Sequence, residues 1–100
     1  MINAEYNGKN GHKLTVTGHA GAAPKGEDLV CAAVTILVRS LAEYMKLTGD
    51  AETTLSDGKF KLKSGNSMSM DSIGALHMAL IGLDMLAQLY PEYINFSIKD

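Results

Sequence analysis

Leu14-Thr15-Val16-Thr17-Gly18-His19-Ala20-Gly21-Ala22-Ala23-Pro24-Lys25-Gly26-Glu27-Asp28-Leu29-Val30-Cys31 is the stretch in which the apolar residues change their period. Before Gly18, Leu14 and Val16 alternate with Lys13, Thr15 and Thr17, the period-two pattern of a half-buried strand. Beyond Gly26, Val30, Val34, Leu37, Val38, Leu41, Tyr44 and Met45 recur at three- and four-residue steps, the pattern of an amphipathic helix. Between the two, Gly18 to Gly26 holds three glycines and a proline and has no periodic apolar face, so it reads as a loop. Glu27 and Asp28 suit the positive end of the helix, and Gly49 stands where a left-handed C-terminal cap is expected. These signals place the helix at about Asp28 to Thr48.

Upstream, Ile2, Ala4 and Tyr6 alternate with Asn3, Glu5 and Asn7, and Asn7-Gly8-Lys9-Asn10-Gly11 supplies turn residues for an antiparallel hairpin. Downstream, Thr53 to Leu55 and Lys59 to Lys63 flank Ser56-Asp57-Gly58, a second hairpin signal, with Phe60 and Leu62 on one face and three lysines on the other. A second helix is expected near Ser69 to Leu89, stopped by Pro91. His77, Asp84 and Gln88 form its narrow polar stripe, and its remaining surface is more apolar than one sheet contact requires, which predicts a homodimer. Tyr93 to Ile98 reads as a last strand with Ile94, Phe96 and Ile98 inward. The order ββαββαβ predicts an α+β fold, a two-layer sandwich whose antiparallel sheet carries two long helices packed on one face.

The chain of 100 residues, 46% hydrophobic, suits a single domain over residues 1–100. A net charge of -2 with 20% charged residues argues against disorder and against a broad basic surface. Cys31 is the one cysteine, which excludes an internal disulfide and fits a reducing compartment. The N-terminus lacks the basic and apolar segments of a secretory signal, and Ile73 to Tyr90 is interrupted by His77, Asp84 and Gln88. A cytoplasmic protein without a membrane anchor is expected.

Cys31 falls in the first turn of the expected helix, twelve residues after His19 in the glycine-rich loop. Free N–H groups and the dipole at a helix start drive a thiol toward thiolate, and the same groups suit the oxyanion of an attacked carbonyl. A lone helical cysteine is more often a small buried apolar residue, and a lone loop histidine is more often solvated. Their joint placement at two ends of one loop suggests a nucleophile and its acid–base partner. From the residues alone both readings stay open.

Gly18-His19-Ala20 followed by Gly26-Glu27-Asp28-Leu29-Val30-Cys31-Ala32-Ala33-Val34 resembles the paired signature of the ribosomal-processing cysteine proteases, the Prp family, over essentially the whole chain. The resemblance implies a cysteine endopeptidase with Cys31 as nucleophile and His19 as proton donor and acceptor. It also implies the substrate: the N-terminal extension of the twenty-seventh protein of the bacterial large ribosomal subunit, cut after a phenylalanine pair. Asp28 is then either an orienting residue for His19 or a helix cap. Gly21, Ala22 and Gly26 would belong to a loop that orders around the substrate. Ala22 stands where many members have an aromatic, and Thr35 where serine is usual.

Other chemistry fits less well. Gly21 and Gly26 have the spacing of a phosphate-binding loop, but Glu27-Asp28 follows where lysine and a hydroxyl are required, and no dinucleotide fingerprint is present. His12, His19, His77 and Cys31 match no common zinc spacing, so neither metal nor cofactor is expected. Lys59, Lys61 and Lys63 read as a guard on a sheet edge rather than a contact to ribosomal RNA, and direct nucleic-acid binding is not expected. A non-catalytic ribosome-assembly module that binds a ribosomal protein is the alternative function.

Overall fold

Alternate residues of each inner strand go into the core, and the helices close over them. The computed structural model describes residues 1–18 and 25–99, with side chains of the first helix described from Leu29 onward. The elements are β1 (Ile2–Asn7), β2 (His12–Thr17), α1 (Lys25–Thr48), β3 (Glu52–Ser56), β4 (Lys59–Ser64), α2 (Met70–Leu89) and β5 (Ile94–Lys99). One five-stranded sheet has the order β3-β4-β2-β1-β5.

Register follows the apolar alternation. Ala4 pairs with Val16, Tyr6 with Leu14, Leu14 with Leu62 and Val16 with Phe60, so each pair shares the covered face. The helices add Val30, Val34, Val38, Leu41 and Met45 from α1 and Leu76, Ala79 and Leu83 from α2 to the same core. The two-layer α+β arrangement expected from the pattern is thus the observed one. The sheet is mixed, mostly antiparallel, with β1 and β5 as its parallel pair. The reason is the crossover: α2 carries the chain back across the layer, so β5 runs in the same sense as β4 and therefore as β1. Ile98, expected inward, is exposed near the end of that strand.

Thr48 ends α1 as expected, and Gly49, at φ 73°, donates its N–H to the Met45 carbonyl at 2.8 Å. A polar network then ties this end of α1 to the start of α2. Asp50 accepts from the Ser69 hydroxyl at 2.6 Å and the Ser69 N–H at 3.0 Å. Ser69 caps α2 by accepting from the Ser72 N–H, and the buried Ser72 hydroxyl donates to Thr48 Oγ1. The Asp50 carboxyl is held below its ordinary value, chiefly by the Ser69 hydroxyl, then by Ser72 and the Ser69 backbone.

By length and composition α2 would also suffice to cross a membrane. Its buried stripe of Ser72, Leu76, Ala79 and Leu83 makes it a core helix of the two-layer fold. Met78, Ile81, Met85 and Leu89 form a second apolar stripe on the far side of the helix, and all four are exposed.

Candidate functional site

Cys31 is half-buried on α1, packed against the core on one side and opening on the other into a groove of about 380 Å³. One wall is α1, with Cys31, Thr35, Val38 and Arg39; the other is the β3–β4 turn from Leu55 to Lys59. Ile2, Val16, Val34 and Phe60 give the groove an apolar floor, and Arg39, Asp57 and Lys59 put charges around it. Thr35 donates its hydroxyl to the Cys31 carbonyl at 2.7 Å, spanning one helical turn beside the thiol.

Gly18 lines this groove together with Cys31. Its φ of 99° lies in the region side-chain-bearing residues rarely adopt, and an added Cβ would collide with the Met1 carbonyl. Its N–H donates to the Gly58 carbonyl at 2.9 Å, tying the end of β2 to the turn that forms the opposite wall. The last described residue before the histidine is therefore held by backbone contacts on two sides.

The expected site residues divide accordingly. His19, Gly21 and Ala22 lie outside the described residues. Gly26, expected in the loop, is the second residue of α1 instead. Asp28 is the fourth residue of α1, too far into the helix to be its N-cap, and its side chain lies outside what is described. Cys31, expected in the first turn, is the seventh residue and sits in the second turn. The physical reason is that helical geometry continues through Gly26 to Lys25, whereas the sequence signals weighted Gly26 as a breaker.

The N–H groups left without intrahelical partners belong to the first turn of α1, up to Glu27. Cys31 lies beyond them, in the second turn rather than the expected first. The sequence reading also missed Arg39, Leu55 and Asp57 as groove residues. Ser56-Asp57-Gly58 was readable as a turn, but nothing local indicates that this turn folds over the Cys31 side of α1.

The family model described as cysteine protease Prp matches residues 1–95. A ribosomal processing cysteine protease Prp of Mycoplasma pneumoniae is 32% identical over 88 residues, which is 85% of this chain and 85% of the relative. Among solved structures, the S. aureus ribosomal processing protease Prp in complex with a substrate peptide superposes with a TM-score of 0.86 at 21% identity, over 99% of this chain and 100% of that one. The same S. aureus protein with a covalently linked product peptide gives a TM-score of 0.82 at 20% identity, over 99% and 100% of the two chains. At such identities the structural likeness establishes the fold.

Proposed function

We propose, because the chain belongs to the Prp family of ribosomal-processing cysteine proteases, that it is a cysteine endopeptidase acting through a Cys31–His19 dyad. Its substrate in this reading is the N-terminal extension of the twenty-seventh large-subunit ribosomal protein, cut after a phenylalanine pair in the bacterial cytoplasm. The observation that carries the reading is that Gly18, the residue joined to His19, and Cys31 line one groove. The covalently linked product peptide of the S. aureus relative agrees with a nucleophilic route.

In the proposed reaction the Cys31 thiolate attacks the scissile carbonyl carbon, forming a C–S bond. His19 protonates the leaving amine as the C–N bond breaks, and water then hydrolyses the thioester with His19 as base. The apolar floor of Ile2, Val16, Val34 and Phe60 suits an aromatic side chain next to the scissile bond. Asp28, Gly21 and Ala22 complete the proposal, the first as an orienting residue and the others as substrate contacts.

The protein in this reading is a single protease domain that works as a homodimer. Support comes from the exposed stripe of α2 and from a groove of about 330 Å³ beside it. Ile36, Leu41, Tyr44, Met78 and Ala79 line that groove, with Ile36 66% and Met78 74% exposed.

The test is mass spectrometry of a peptide spanning the extension, incubated with wild type and with Cys31→Ala. Cleavage after the phenylalanine pair by the wild type alone is expected. Intact peptide with both proteins, together with a Cys31 that resists alkylation near neutral pH, would favour the non-catalytic assembly module.

A further inference from the structure

The lysines of β4 do not guard an edge. β4 lies between β3 and β2, so Lys59, Lys61 and Lys63 project from the interior of the sheet, where both neighbouring strands already satisfy the backbone. The protection of an open edge, which favoured that reading from sequence, therefore does not apply to them.

Register shows what they face. Lys63 stands directly opposite Lys13 on β2, Lys61 opposite Thr15 and Lys59 opposite Thr17. Lys99 on β5 shares a row with Asn7, Lys13 and Lys63. This is the face that neither helix covers, and it carries five lysines against two glutamates, Glu5 and Glu52, in a chain whose net charge is -2. Among the described residues none of the five lysines forms an ion pair, although Glu52 stands opposite Lys63. Like charges directly opposite each other destabilise a sheet, and Lys13 and Lys63 are such a pair. An anionic partner across the face would relieve that repulsion.

We propose that the open face of the sheet, centred on Lys13, Lys61 and Lys63, binds the sugar–phosphate backbone of RNA. Among the described residues this surface holds no aromatic side chain, since Tyr6, Phe60 and Phe96 share the covered face, so bases have nothing to stack on. Binding is therefore through phosphates, insensitive to sequence and strongly dependent on salt. RNA rather than another polyanion rests on the proposed function, in which the substrate is a ribosomal protein. The groove at Cys31 meets this face only at Lys59, at the start of β4; Lys13, Lys61 and Lys63 do not line it.

The test is fluorescence anisotropy with a labelled 20-nucleotide oligouridylate, titrated with the full chain from 50 to 200 mM salt. Three phosphate contacts give a slope of about -2 in log affinity against log salt, a loss of roughly 20-fold over that range. Lys13→Gln/Lys61→Gln/Lys63→Gln should bind at least tenfold more weakly at 50 mM salt with a nearly flat slope, at a melting temperature equal to or above that of the wild type, since the Lys13–Lys63 repulsion is gone. Glu5→Lys should bind more tightly. The triple variant should still cleave the free peptide at the wild-type rate, and Cys31→Ala should bind RNA as the wild type does. Failure of peptide cleavage with RNA binding intact would sink the protease reading while leaving this surface standing. No RNA binding by the wild type at 50 mM salt, or equal binding by the triple variant, overturns the proposal. Binding to phosphatidylglycerol vesicles but not to RNA would overturn it in favour of a membrane surface.

Discussion

α1 and α2 are packed side by side on the same sheet, yet they solve different problems. α1 buries a single stripe from Val30 to Met45 and uses the flank of that stripe, at Cys31 and Thr35, to line a groove. α2 buries Leu76, Ala79 and Leu83 and keeps a second apolar stripe, Met78 to Leu89, in the open. A helix with one apolar face needs one partner layer; a helix with two needs a second surface. The difference separates the chemistry proposed at Cys31 from the assembly proposed around α2, and each can be broken without the other.

The largest effect is expected at the site itself. Cys31→Ala should abolish peptide cleavage, and His19→Ala should lower it by roughly 10²- to 10⁴-fold, the usual worth of general acid–base help. His77→Ala on the polar stripe of α2 should leave the rate unchanged; steady-state assays on all three variants separate the two helices. Next come the buried side chains that both helices share with the sheet. Met45→Ala and Leu83→Ala should each cost about 2–5 kcal/mol in urea unfolding, because each leaves a cavity where nothing is exposed. Met78→Glu/Met85→Glu should instead halve the mass in sedimentation while leaving the monomer folded. An unchanged mass would mean that the second stripe of α2 is not the dimer contact.

Smaller effects concern the junction between the helices. Ser69→Ala removes the cap of α2 and should cost about 1 kcal/mol. Asp50 has a depressed folded-state pKa, so its contribution is fully present above its ordinary value of 3.8 and is lost as pH falls through the lower folded value. Melting temperatures of wild type and Asp50→Asn should therefore differ at pH 6 and converge in acid below pH 3.8. A gap that persists into acid would mean that Asp50 acts through packing or hydrogen bonding and not through its charge.

Much of the fold is legible along the chain because its signals are local. Alternation at Leu14 and Val16, three- and four-residue steps from Val30 to Met45, Pro91 after α2 and Gly49 after α1 each name an element from its own residues. The errors arise where a local signal competes with cooperative structure. Gly26 has low helix propensity, yet α1 continues through it to Lys25, which puts Cys31 a turn deeper than its flanking charges suggest. Of the candidate site, Cys31 was readable from sequence, but Gly18, Arg39, Leu55 and Asp57 were not. These side chains gather from separate elements, and no spacing along the chain records that meeting.

By itself, then, the sequence determined the elements, their order and the two-layer class, since period, caps and turns depend on neighbours within a few residues. It also carried the motif around His19 and Cys31. Only the tertiary structure decided which strand became an edge, that β5 runs parallel to β1, and that the β3–β4 turn walls the groove beside Cys31. It alone lined up Lys13 with Lys63, fifty residues further along the chain. The physical reason is that register and strand order minimise the exposed apolar area of the whole sheet and both helices together, a sum over long-range contacts that no window of sequence contains.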